Sequence, residues 1–452
     1  MKGFLSRNQI EYVLFHFGLT VELDAEVREK FLFCKEVREI AAYSGRVIFL
    51  LREEEFKLEQ VRKVNGLDVL FPDPAFAAEY EMKGDNLVFY HDYLKSSFYL
   101  LSAYQEYKSV FKDRLGRYDY FHSVQHKLGI TKIPMVNYYF DTLYKGLQAF
   151  FAAQNRRLEK RDLFRSFGLM LTHDVDRVKL YNINNFIYCG KALLGLTGND
   201  TSYVYRLASF IDSLTGFFKC TDPHWSFPFL RETEKENGFR SVYFFLDRLP
   251  DQRNYQITSE NIQALIASLE ADGCEIGVHG TLESVSSRKE ALSIKKKLQA
   301  VVKNTVIGNR NHTLLFHVPA SMSLLKELDY RYDSTLGFAH HEGFRNSFCH
   351  PFKLYDFGND MMVDLWEIPL TLMDCTLFDY RKLDFIRAMQ CVEDLINETR
   401  KFHGVFTLLW HNSYFEERKY PGITQFYSRL LSRFKENDVV SLTGREIVSL
   451  LP

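Results

Sequence analysis

Thr172-His173-Asp174-Val175-Asp176 follows the apolar run Leu169-Met170-Leu171 and puts two carboxylates at the end of what reads as a buried strand. Carboxylates are costly there unless they are hydrogen-bonded, bound to a metal or used as an acid or base. In α/β folds, sites lie at the carboxyl ends of strands, so the position points to chemistry ahead of packing. Three later segments carry side chains of the same kind: Gly277-Val278-His279-Gly280-Thr281-Leu282-Glu283, Gly308-Asn309-Arg310-Asn311-His312 and Leu408-Leu409-Trp410-His411. Carboxylate and imidazole brought from separate strands to one mouth is how a mononuclear hydrolytic metal site is built.

The elements that must position these residues alternate strand and helix. Strands are expected at 169–174, 241–246, 275–279, 363–370 and 405–411. Between them, residues 259–272 carry Ile262, Leu265, Ile266 and Leu269 at helical spacing before Gly273, and residues 384–400 repeat that pattern. Thr443-Gly444-Arg445-Glu446 is a capping-box pattern before a last short helix. Residues 180–230 read as a helical insertion. Such alternation predicts an α/β protein with a parallel sheet or a (β/α) barrel. Upstream, strands are expected at 46–51, 67–71 (ended by Pro72) and 87–90, with a helix from Tyr93 to Tyr107. The charge-dense stretch Asn155–Asp162 marks a boundary. The chain thus divides into an α+β or α/β N-terminal domain, 1–160, and a barrel, 161–452.

At 452 residues, one ordinary domain is too small a frame. Apolar residues make up 46 % and charged residues 25 %, with a formal net charge of −1. That balance gives no electrostatic case for nucleic acid or an anionic membrane. Cys34, Cys189, Cys220, Cys274, Cys349, Cys375 and Cys391 are odd in number and form no C-x-x-C pair, which argues against a disulfide framework or a cysteine zinc site. No apolar run is long enough to span a bilayer, and the N-terminus has no small-residue cleavage site. A cytoplasmic protein is expected. The sequence leaves the oligomeric state open.

From about Phe167 onward these motifs resemble the polysaccharide deacetylase (NodB-homology) family of metal-dependent amide hydrolases. That resemblance implies a distorted seven-stranded (β/α) barrel. It implies Asp174 as general base and Asp176 as metal ligand, on the match of Thr172–Asp176 to the family's paired aspartates. His279 matches the first histidine of the H-S/T-x-x-H motif. Gly280 replaces its hydroxyl residue, and Glu283 stands at the second histidine. Arg310 corresponds to the arginine that orients the base, and His411 to the general acid. A divalent metal is implied, zinc first, with cobalt or nickel as alternatives. Glu283 and His312 are both candidates for the third ligand. The implied substrate is an N-acetylated amino sugar in a polysaccharide or glycan precursor. Tyr332–Phe338, Gly343-Phe344-Arg345, His350-Pro351-Phe352 and Trp366–Leu370 resemble a bacterial subgroup whose extra N-terminal domain has no assigned role. Phe98–Tyr107 resembles part of that domain.

Each feature also has a plainer reading. Asp174 and Asp176 could cap a turn, and His279 and His411 could be satisfied core histidines. His340-His341 reads as a loop pair, Trp225 as core, and Lys295-Lys296-Lys297 as a solvated helix face. Two other functions compete: a C–N hydrolase of small linear amides, and a non-catalytic carbohydrate-binding member.

Overall fold

A computed structural model describes residues 3–197, 202–219, 221–247 and 255–452. Six strands precede the boundary segment: β1 Phe31–Cys34, β2 Val47–Leu50, β3 Arg62–Val64, β4 Leu67–Val69, β5 Glu81–Lys83 and β6 Asn86–Phe89. β1, β2, β6 and β5 form one sheet, with only β5 antiparallel to its neighbour. β3 and β4 form a separate hairpin.

The ten strands that follow are β7 Gly168–Val175, β8 Ser241–Leu246, β9 Glu275–Gly280, β10 Gly308–Asn311, β11 Tyr332–Asp333, β12 Phe352–Asp356, β13 Met361–Glu367, β14 Leu372–Met373, β15 Val405–Leu409 and β16 Val440–Ser441. They make one sheet in the order β12-β13-β11-β10-β9-β8-β7-β15-β14, with β16 beside β7. Only the β12–β13 pairing is antiparallel. Parallel strands with crossover helices are buried on both faces, and β7, β8 and β9 are buried along their whole length. The run between β13 and β14 bonds both to the segment that follows β11 and to β15. Leu370 N–H donates to the Leu336 carbonyl (3.1 Å), and Thr371 N–H donates to the Thr407 carbonyl (3.1 Å).

The helix Glu260–Ala271 buries Ile262, Leu265, Ile266 and Leu269, the stripe its sequence predicts. The capping box at Thr443 and Glu446 is present. The expected single helix 93–107 is two, Tyr93–Leu101 and Tyr104–Lys108, parted by Ala103 at φ 59°. The break turns the Leu101 carbonyl to the side-chain amide of Asn346 (3.0 Å), a tertiary partner that no local pattern shows. β10 is a strand the pattern also hides. Gly-Asn-Arg-Asn is polar yet wholly buried, because its side chains bond to neighbouring strands rather than to water.

The N-terminal region shares one continuous apolar core with the rest of the chain. Among the polar joints that cross between them are two built on buried side chains. His16 Nδ1 lies 2.7 Å from the Tyr12 carbonyl, and its Nε2 accepts the Lys353 N–H at 2.9 Å. Glu106 and Arg345, both buried, pair through two hydrogen bonds of 2.8 and 2.6 Å.

Candidate active site

The ends of β7, β9, β10 and β15 bring the chemically capable side chains to one cleft. Strand register explains the core of it. Arg310 on β10 lies opposite His279 on β9, and Leu409 on β15 opposite Thr172 on β7. His279 Nδ1 lies 2.9 Å from the Arg310 carbonyl. A proton on Nδ1 makes that bond and leaves the Nε2 lone pair facing the cleft, the usual way a metal-binding histidine is held.

That Nε2 lies 3.2 Å from Asp176 Oδ1 and 3.2 Å from His312 Nδ1, and His312 Nδ1 is 3.3 Å from the same Asp176 oxygen. The three ligand atoms lie within 4.8 Å of one another. Asp176 Oδ1 is buried with no hydrogen-bond donor of acceptable geometry. A buried carboxylate oxygen in that condition is costly, and a cation between it and two imidazoles would remove the cost. Two nitrogens, one oxygen and an open side match the donor set of a catalytic zinc-type site. Burial alone would raise the Asp176 carboxyl, but His312 and His279 outweigh it and hold it well below the usual carboxylate range.

Asp174 is buried beside this triad. Its Oδ1 accepts from Arg310 Nη1 (3.2 Å), and its Oδ2 lies 3.6 Å from His279 Nε2. Arg310 is fully buried, and its remaining donors go to Thr172 Oγ1 (2.6 Å), the Ser334 carbonyl (2.8 Å) and Ser334 Oγ (2.8 Å). The guanidinium is therefore fixed, and it presents one nitrogen to Asp174.

His411 stands across the cleft. Its Nδ1 lies 2.8 Å from Asp374 Oδ1, its backbone N–H donates to Asp374 Oδ2 (2.6 Å), and its Nε2 is 4.0 Å from Asp176 Oδ2. Burial alone would lower this imidazole, but the Asp374 carboxylate outweighs it and raises the pKa well above the ordinary histidine value. Cys375 Sγ is 3.8 Å from the same Nδ1, and its thiol is pushed up to about 12, by burial first and then by Asp374.

Asp176, His279 and His312 are thus brought together, with Asp174, Arg310 and His411 around them. Glu283 is elsewhere: its side chain is exposed on the turn after β9, and its carbonyl accepts from Ser286 and Ser287. Gly280 explains part of the departure from the histidine motif. A Cβ there would lie 2.4 Å from Asn311 Oδ1 and 3.1 Å from Ser284 Oγ, so the space of a hydroxyl residue is taken by Asn311, the neighbour of His312. Of the plainer features, Trp225 packs against the core. His341 Nε2 bonds Arg381 (2.8 Å), and His340 lies between the rings of Phe121 and Tyr380.

Three contributors are missed by sequence reasoning. Asp374 follows β14, an apolar run of two residues and too short to read as a strand end. His224 lines the cleft wall, buried and with no partner at Nδ1, and its pKa is lowered to about 4 by burial and then by Arg177 and Lys419. Arg117, from the N-terminal region, donates to the carbonyl of Thr313 (3.0 Å), next to His312, and is itself held by Asp113 (2.7 Å). Thr313 sits at φ 61°, in the left-handed region that a non-glycine residue rarely adopts. The cleft, lined by Asp176, His224, His312 and His411 among others, measures ≈ 510 Å³.

A family model described only as a family of unknown function, DUF7033, matches residues 7–152. No curated protein matches the chain. Among solved structures, a putative polysaccharide deacetylase from Mycobacterium smegmatis is similar at 20 % identity and TM-score 0.42, over 63 % of this chain and 90 % of that one. PuuE allantoinase is similar at 13 % and 0.42, over 63 % and 89 %. A CE4 family pseudoenzyme from Bacillus anthracis is similar at 9 % and 0.33, over 63 % and 66 %. What the cleft can do follows from its own side chains.

Proposed function

We propose that this protein is a metal-dependent hydrolase that removes N-acetyl groups from an amino sugar in a polysaccharide or glycan precursor. The observation that carries the reading is the single cleft where Asp176, His279 and His312 converge, with an arginine-held carboxylate and a carboxylate-held imidazole beside them. In this reading residues 161–452 form the distorted seven-stave (β/α) barrel of the deacetylase type, and residues 1–160 an accessory unit. The described cysteines are all free, and Cys220 lies outside the described residues. That fits a reducing compartment, and the cytoplasm is the one proposed.

Asp176, His279 and His312 would hold the divalent ion, zinc first and cobalt or nickel as alternatives, with Glu283 outside the shell. When bound, such an ion lowers the pKa of a water and polarises an amide carbonyl. Asp174 takes the proton from the attacking water at its Oδ2, while Arg310 on Oδ1 holds the carboxylate in place. His411, charged by its pairing with Asp374, carries a proton on Nε2 towards the cleft and gives it to the departing amine. The products are acetate and a free amino sugar.

The test is metal analysis of the purified protein beside Asp176→Ala, His279→Ala, His312→Ala and Glu283→Ala, together with acetate release from N-acetylated chito-oligosaccharides. Near-stoichiometric metal that is lost in the first three variants and kept in the fourth, with acetate released, is expected. A wild type that takes up no zinc, cobalt or nickel would leave a carbohydrate-binding role in place of catalysis. Metal uptake with turnover only on small linear amides would shift the substrate class.

A further inference from the structure

Beside the cleft stand two packed helices, Ile183–Leu193 and Tyr203–Gly216, whose outer faces carry many exposed apolar side chains. On the first, Ile183, Ile187 and Leu194 fall on one helical stripe and are 61, 47 and 75 % exposed. On the second, Tyr203, Leu207, Ile211, Leu214 and Phe218 repeat the pattern, with Phe218 88 % exposed. Single exposed apolar residues are ordinary, but contiguous stripes mark a surface that something covers. The inward face is ordinary packing: Phe186 lies on Phe210 with ring centroids 5.3 Å apart, and Cys189 and Ala192 are buried.

Charge says what covers it. Residues 177–219 hold five basic side chains (Arg177, Lys179, Lys191, Arg206 and Lys219) against two acidic ones, Asp200 and Asp212, in a chain whose net charge is −1. Apolar stripes within a locally basic segment are the pattern of helices that lie in the headgroup region of an anionic bilayer. The helices have 11 and 14 residues, about 16 and 21 Å at 1.5 Å per residue, too short for the roughly 30 Å hydrocarbon layer. No described helix is long and apolar enough to cross a membrane. The hairpin suits a surface and not a span.

The site is continuous with this element. A cavity of ≈ 370 Å³ under the two helices shares Leu180, Asn185, Glu416 and Lys419 with the cleft that Asp176, His312 and His411 line. We propose that the helical hairpin docks the protein on an anionic lipid surface and presents the cleft to a glycan whose carrier lies in that surface. The second half rests on the deacetylase reading above.

The test is sedimentation of the full chain with vesicles of phosphatidylethanolamine and phosphatidylglycerol, and with vesicles of phosphatidylcholine alone. The wild type is compared with Ile187→Glu/Ile211→Glu and with Phe218→Glu, circular dichroism confirming that the exposed changes leave the fold intact. The wild type is expected to pellet with the anionic vesicles, more weakly with phosphatidylcholine, and the double variant to bind at least about tenfold less. Acetate release from a soluble chito-oligosaccharide should be unchanged in the variants, while release from an N-acetylglucosaminyl glycolipid in the vesicles falls. Wild type left in the supernatant, equal pelleting with both lipids, or variants that pellet like wild type would each overturn docking. So would a dimer that the double variant dissociates while neither protein pellets, since the face would then belong to a second copy. Pelleting needs no turnover, so an inactive protein that still binds vesicles fails the deacetylase reading alone.

Discussion

Asp374 grips His411 twice, once at the ring Nδ1 (2.8 Å) and once at the backbone N–H (2.6 Å). One carboxylate therefore sets the ring's orientation and favours its charged form, because a negative charge beside the ring stabilises the imidazolium. Replacing His411 by Gln should cost about 10²- to 10⁴-fold in kcat, the usual worth of a general acid. Asp374→Asn keeps the ring and its volume and should lose a smaller part of that, with metal content unchanged. Steady-state kinetics beside metal analysis checks this. Loss of metal in Asp374→Asn would show that the residue supports the ion and not the imidazole.

Arg117 ties the N-terminal region to the loop that carries His312. Its guanidinium is held by Asp113 and donates to the Thr313 carbonyl, where the backbone adopts φ 61°. Strained backbone persists only where its surroundings hold it. Arg117→Gln should lower metal affinity by about 10- to 100-fold, the range typical of residues that orient ligands from behind. Competition with a chelator measures this, and the metal-free protein should also lose thermal stability, because Asp113 is left without its guanidinium partner. Unaltered affinity would show that the Thr313 conformation needs no support from Arg117.

Much of the site was legible because apolar runs stop abruptly at polar residues. Leu169–Leu171 before Asp174 and Leu408–Trp410 before His411 read as buried strands with polar ends, and the structure brings both ends to one cleft. The choice between Glu283 and His312 was not legible. It depends on Asn311 occupying the space over Gly280, a contact between two strands. Asp374 was hidden because β14 has two residues, and β10 because its polar side chains are satisfied by neighbours that sequence does not reveal. The break at Ala103 likewise depends on Asn346, more than two hundred residues away in sequence. The insertion at 180–230 was visible as helical, but which of its faces stays exposed is a property of packing.

The buried pair Glu106–Arg345 predicts that the N-terminal region is not dispensable. Both side chains are almost wholly enclosed, and Arg345 also donates to the Gly337 carbonyl (3.0 Å). Removing one member leaves an uncompensated buried charge, at a cost of about 3–5 kcal/mol. Glu106→Gln should lower stability by that order in denaturant unfolding, and Glu106→Leu/Arg345→Met should recover much of the loss. A double variant no more stable than the single one would show that the pair's geometry, and not its charge, matters. A chain lacking residues 1–160 should not give a cooperative unfolding transition, because the shared core would be cut open.

His16 should make stability fall in mild acid. Its Nδ1 proton goes to the Tyr12 carbonyl and its Nε2 must stay bare to accept the Lys353 N–H, so the fold binds only the neutral ring. Burial lowers its pKa to about 3, with the Lys353 ammonium acting in the same direction. The unfolded chain has an ordinary histidine near 6.5, so it takes up a proton that the folded chain refuses. The stability tied to this residue is complete above about pH 6.5 and is lost as pH falls from there towards 3, at about 1.4 kcal/mol per pH unit. His16→Gln cannot titrate, so the stability gap between wild type and variant should shrink by about 2 kcal/mol between pH 7 and pH 5. Denaturant unfolding of both proteins across that range measures the gap. A gap that stays constant with pH would mean that His16 accepts its proton within the fold and that the Lys353 N–H finds another partner.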